Sequence, residues 1–138
     1  MAYWLMKTEP EEFSWDDAIK RGAKGESWTG VRNFTARQNL VAMKKGDRAL
    51  FYHSGEQRAA VGIVEVIREH YPDPTADAGS PWVVVDVIAV TPFEKPFTMQ
   101  DAKTVPKLKE MALLKFSRLS VQPVTGEEWK IVCKMGGL

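Results

Sequence analysis

Cysteine is almost absent from this 138-residue sequence, and histidine occurs only twice. Cys133 has no partner for an internal disulfide, and no Cys/His cluster has the spacing of metal ligands. No apolar run approaches the ~20 residues that span a bilayer. The N-terminal MAYWLMKTEPEEF turns acidic after one lysine and lacks the long apolar core and cleavage site of a secretory signal. Gly-rich phosphate loops, nucleophile elbows and zinc-protease helices are missing too. So are internal repeats, low-complexity stretches and linkers. These absences lead us to expect one domain over residues 1–138, cytoplasmic, with no metal, no cofactor and no membrane partner.

What is present is globular: 44% of residues are hydrophobic and 27% charged, which excludes a disordered or fibrous chain. The net charge of +1 is too small for a protein that coats duplex nucleic acid by neutralising ~6–10 phosphates. The charge is uneven, however. Residues 1–19 sum to −4, residues 20–48 to +6 and the remainder to −1. A basic segment on a neutral body suits a local anionic contact, or simply a solvated helix face.

The spacing predicts a first strand over Ala2–Thr8, closed by Pro10, and a short helix capped by Ser14 with Asp17 and ending near Gly22. Residues 23–33 read as a loop, and Asn33 to about Met43 as a second helix. Strands follow at Arg48–His53, Ala59–His70 and Trp82–Val90, the last nearly all apolar and expected to be buried on both faces except near Asp86. Thr98 opens a short helix, Pro106–Met111 forms a helical turn, Arg118–Val121 is a strand candidate, and Thr125 with Glu128 caps a last helix. A small, strongly curved or closed sheet with peripheral helices fits this pattern.

Five tryptophans are the compositional anomaly. Trp4, Trp82 and Trp129 fall within strands or a helix and read as core, and Trp15 as a staple at a helix start. Trp28 stands between Ser27 and Thr29 in a loop that runs through Val31, Arg32 and Asn33 into a helix N-terminus. There it either plugs the end of the sheet or forms a stacking platform. For a platform, Arg32 and the following helix amides would receive a phosphate. Asn33 and Thr29 would bond a base edge, and Arg37, Lys44 and Lys45 would extend the basic surface. His53, His70 and Cys133 have no sequence-linked catalytic partner and read as packing or surface residues.

YWLMKTEP at 3–10, WTGVRNFTARQNL at 28–40, GDRALFYHS at 46–54, VGIVEV at 61–66 and SRLSVQPV at 117–124 together resemble the EVE domain family, in order and over essentially the whole chain. The resemblance implies an α+β, mainly β fold of the PUA-like kind: a small curved β-barrel of about five to six strands with peripheral short helices. That fold is similar to the YTH domain, which binds N6-methyladenine in RNA inside an aromatic cage. The implied function is non-catalytic: a module that reads a modified, methylated base of DNA or RNA in an aromatic-walled pocket. Carried over, Trp28 is the aromatic wall with Thr29 beside it, and Val31, Arg32 and Asn33 continue the loop. Lys7, Thr8 and Glu9 flank the pocket from the first strand, Tyr52, His53 and Ser54 from a neighbouring strand end, and Ser117, Arg118 and Leu119 from the late motif. Phe34, Tyr52 and Leu119 are candidates for further cage walls.

Two other functions stay open at this stage. PUA-like relatives of the ASCH type use Lys, Thr and Glu catalytically, so Lys7, Thr8 and Glu9 would suit a hydrolase of modified nucleosides. Alternating strand residues, though, point Thr8 away from Lys7 and Glu9 unless the strand ends there. A protein-interaction module would instead show a contiguous apolar patch around Trp28.

Overall fold

The structure, a computed structural model, describes residues 1–138. Its frame is one mixed sheet. Strand β1 (Tyr3–Thr8) runs parallel to β3 (Arg48–His53), with Tyr3 opposite Arg48 and Thr8 opposite His53. Strands β3, β4 (Ala59–Pro72) and β5 (Val83–Thr98) form an antiparallel meander. Strand β6 (Val121–Val124) pairs with the free side of β1, and the two-residue β2 (Glu26–Ser27) with the free side of β5. The order is β2-β5-β4-β3-β1-β6.

Register slips between β4 and β5 at four points, beginning between Ala60 and Gly62, and such bulges bend and over-twist a strand pair. The sheet therefore curls, and its two edges, β2 and β6, come to face one another without hydrogen bonding. Helix α2 (Phe34–Ala42) spans the gap: it packs on both β5 and β6, and Asn39 Nδ2 donates to the Val121 carbonyl at 2.7 Å. This is the expected PUA-like curved sheet with short helices around it, closed by a helix.

Both faces of the sheet are buried because side chains alternate. Trp4, Met6, Ala49 and Phe51 point to one face, under α1 (Trp15–Arg21) and α2. Leu5, Leu50 and Tyr52 point to the other, under α3 (Met99–Thr104), α4 (Ala112–Lys115) and α5 (Gly126–Met135). Capping boxes at Ser14, Thr98 and Thr125 start α1, α3 and α5 as expected. Trp15 is buried against Gly62, where a Cβ would come 2.5 Å from its ring.

Four expectations need correction. The supposed loop 23–33 contains β2. Residues 118–120 are not strand: Gln122 Nε2 donates to the Phe116 and Leu119 carbonyls and fixes a turn there, so β6 starts at Val121. β5 runs beyond Val90 to Thr98. Trp82 is not core: it precedes β5, is only partly buried, and packs on Phe34.

Candidate nucleic-acid interface

A cavity of about 230 Å³ opens where the two sheet edges face one another. Lys7 and Thr8 at the end of β1, with Glu12 and Phe13 just beyond, form one side. Residues 26–31 form the other, and Ser120 completes the wall beside β6. The β2 pairing and the Trp28 N–H bond to the Val85 carbonyl at 2.9 Å set the backbone of this second side. Trp28 then turns its ring inward. It meets Phe13 and Phe51 edge-to-face, at 6.1 and 5.7 Å between centroids, and is 6% exposed. The indole is therefore anchored in the core and forms part of the cavity wall at the same time.

Asp73 holds the loop beyond Trp28. Its buried carboxylate accepts from the Gly30 N–H at 3.0 Å, from Arg32 Nη1 at 2.9 Å, and from the N–H and hydroxyl of Thr75. Burial pushes this carboxyl up, but the bonds from Thr75, Arg32 and the Gly30 amide outweigh it and bring its pKa down to about 2. Gly30 lies at φ +84°, a left-handed conformation that favours glycine. Arg32 thus spends its charge on Asp73 and presents only its outer edge to a ligand.

Lys7 borders the cavity, but its ammonium is already engaged. Its Nζ donates to the Ser117 carbonyl at 2.6 Å and lies 5.6 Å from the Tyr52 ring centroid, and burial lowers its pKa. Thr8 Oγ1 donates to the Phe13 carbonyl at 3.2 Å. Glu9 is exposed and outside the cavity, so Lys7, Thr8 and Glu9 do not converge. The carboxylates on the wall belong to Glu12 and to Glu26, which pairs with Arg21 at 3.2 Å.

Other expected residues lie elsewhere. Tyr52 faces the opposite core, its hydroxyl buried without a partner, and burial pushes its pKa up to about 12. His53 Nε2 accepts the Trp15 N–H at 3.1 Å and its Nδ1 lies 2.7 Å from Gln57 Oε1, so Nδ1 carries the proton and the ring is occupied in holding α1. Ser54 continues the ladder through its N–H to the Thr8 carbonyl. Ser117, Arg118 and Leu119 border a second, shallower cavity of about 450 Å³ with Asn33 and Thr35. Asn33 Oδ1 is used as the α2 cap, accepting from the Ala36 N–H at 3.0 Å. Arg37 Nε donates to the Pro81 carbonyl. Lys44 and Lys45 follow the far end of α2, roughly 14 Å from Asn33, beside Met1 and Ala2. The basic segment is therefore not one surface.

Glu12, Phe13, Glu26, Ser27, Gly30 and Ser120 escaped sequence reasoning. Phe13 precedes the Ser14 cap, which suggests a staple rather than a cavity wall. No group of three or more His, Cys, Asp or Glu side chains is placed to hold a metal ion, and no helix is long and apolar enough to cross a membrane.

The EVE domain profile matches residues 2–135. Thymocyte nuclear protein 1 of Mus musculus is 35% identical over 96% of this chain and 73% of its own length. A crystal structure of a protein from Agrobacterium tumefaciens superposes with TM-score 0.98 at 50% identity, over 100% of this chain and 94% of that one. The human THYN1 protein, crystallised in complex with DNA containing 5-methylcytosine, superposes with TM-score 0.92 at 31% identity, over 100% of this chain and 99% of that one. The YTH domain of Zygosaccharomyces rouxii MRB1 protein, in complex with N6-methyladenosine RNA, shares the fold, with TM-score 0.57 at 16% identity over 98% and 86% of the chains.

Proposed function

The chain belongs to the EVE domain family, and from that premise we propose that it binds nucleic acid carrying a modified base, inserts that base into the cavity beside Trp28, and performs no chemistry on it. One observation carries this reading: a Trp28-walled cavity in a chain that superposes with TM-score 0.92 on a human protein crystallised with 5-methylcytosine DNA. At about 230 Å³ the cavity is smaller than the ~300–1,000 Å³ typical of drug-sized ligands, which suits one small planar ring. Its wall offers carboxylate acceptors at Glu12 and Glu26, with the hydroxyl groups of Thr29 and Ser120 between. That set complements a base with both a carbonyl and an exocyclic amine, and cytosine has both; its N4 amine is a natural donor to carboxylates.

Selectivity divides between two kinds of contact. An extra buried methyl is worth ~0.8 kcal/mol, about fourfold, so the polar contacts choose the base and the indole refines the choice. In a duplex the base must also flip out, at a few kcal/mol. Arg118, Arg37 and the outer edge of Arg32 are the cations near the cavities, and with a net charge of +1 the expected affinity is micromolar, about −8 kcal/mol. The function requires only that the chain share a compartment with nucleic acid, which the cytoplasmic expectation satisfies for RNA and for DNA outside a nucleus. With Glu9 off the wall, the hydrolase alternative lacks its third residue. The protein-docking alternative would need an apolar patch where there is a cavity.

Fluorescence titration of the wild type and Trp28→Phe, with short single strands carrying 5-methylcytosine, N6-methyladenine or no modification, tests the proposal. Saturable binding that prefers one modified strand, and weakens with phenylalanine in place of the indole, is the expected result. Equal affinity for modified and unmodified strands, or no binding to any, contradicts it.

A further inference from the structure

Outside the cavity, three side chains form an exposed cluster at the start of α2. Phe34, the first residue of the helix, is 65% exposed. Its ring packs on Trp82 with centroids 4.9 Å apart and planes inclined by 37°. The Arg32 guanidinium also lies against Trp82, 5.9 Å from the indole centroid and within cation–π range. The cluster is held in place from both sides. Arg32 is bonded to the buried Asp73 carboxylate, and Arg37 Nε to the carbonyl of Pro81, the residue before Trp82.

Single exposed apolar residues are ordinary on protein surfaces. This one differs in three respects. A second aromatic packs against it, fixed guanidinium groups hold that aromatic and the residue before it, and it follows Val31 of the cavity wall by only three residues, a reach of ~10 Å at most. Phe34 belongs to neither core, so its ring contributes little to folding. Phe34 is the member of the cluster most open to solvent.

We propose that the Phe34–Trp82 stack is a platform for the base adjoining the one held in the cavity; this rests on the base-reading function above. Every base has a π-face, so such a platform adds affinity without reading sequence. The outer edge of Arg32, its side chain 40% exposed beside Trp82, is the group available to the intervening phosphate. The occupant is thus the next nucleotide of the same strand, and the footprint of the domain is more than one nucleotide.

Two probes separate platform from cavity. Free 5-methyl-2′-deoxycytidine tests the cavity alone, and a pentanucleotide with that base at its centre tests both. Phe34→Ala is expected to weaken the pentanucleotide about 5- to 150-fold, leave the nucleoside unchanged, and be rescued by Phe34→Trp. Equal losses for both probes, or an unchanged pentanucleotide with nucleoside binding intact, would overturn the platform alone. Failure of the wild type to bind either probe would overturn the base-reading function and the platform with it. Thermal unfolding of Phe34→Ala at the wild-type midpoint shows that the variant is folded.

Discussion

Asp73 is the residue that gathers the loop beyond Trp28. Its carboxylate collects Gly30, Arg32 and Thr75, and its pKa of about 2 lies below the ~3.9 of an unfolded aspartate. A carboxylate depressed in the folded state stabilises above its unfolded value and loses that contribution as pH falls through the folded one. A shift of this size is worth ~2 kcal/mol. Asp73→Asn is therefore expected to lose about 2 kcal/mol in urea unfolding at neutral pH, with the gap to wild type narrowing as pH falls from about 4 to about 2. A gap that does not change with pH would contradict this. Trp28 was legible at this scale, since a tryptophan among Ser, Thr and Gly before a helix is out of place in a plain loop. Its anchoring on Phe13 and Phe51 was not, because both are distant in sequence or in another element. The exclusion of Tyr52 was hidden for a similar reason: which face a strand residue takes depends on pairing, and the β3–β4 register shifts between Phe51 and Tyr52.

Helix α2 does most at the scale of elements, bridging β5 and β6 and presenting Phe34 from its first turn. Asn33 caps it by accepting the Ala36 N–H. Asn33→Ala is expected to cost ~1 kcal/mol, measured by thermal unfolding, because an N-cap oxygen satisfies an otherwise orphaned amide. No measurable loss would mean that the cap does not hold this turn. The capped helices and β3 could be read from local signals alone, since Ser14, Thr98 and Thr125 each sit three residues before an acid. The strands with non-local determinants were harder. Pro92 and Pro96 argue against a strand, yet β5 carries both, because β2 covers its outer side only at Asp86 and Val87 and leaves the rest as an edge. β2 itself is two residues long and exists only through its partner.

The whole molecule is a curled sheet with a gap, and the gap is where the cavity lies. Composition and charge balance foretold the compact fold. They did not foretell that Lys44 and Lys45 fall beyond the far end of α2, or that Ser117–Leu119 open a second cavity, because curling decides which ends meet. The central claim is that a modified base enters beside Trp28 and nowhere else. The five tryptophans make it testable in one spectrum, since each indole N–H gives its own resonance. Titration of the ¹⁵N-labelled protein with 5-methyl-2′-deoxycytidine should move the Trp28 indole signal, leaving those of Trp4 and Trp129 in place, because both are buried away from the cavity. A Trp28 signal that stays fixed while the nucleoside binds, or shifts first at Trp4 or Trp129, would contradict the account.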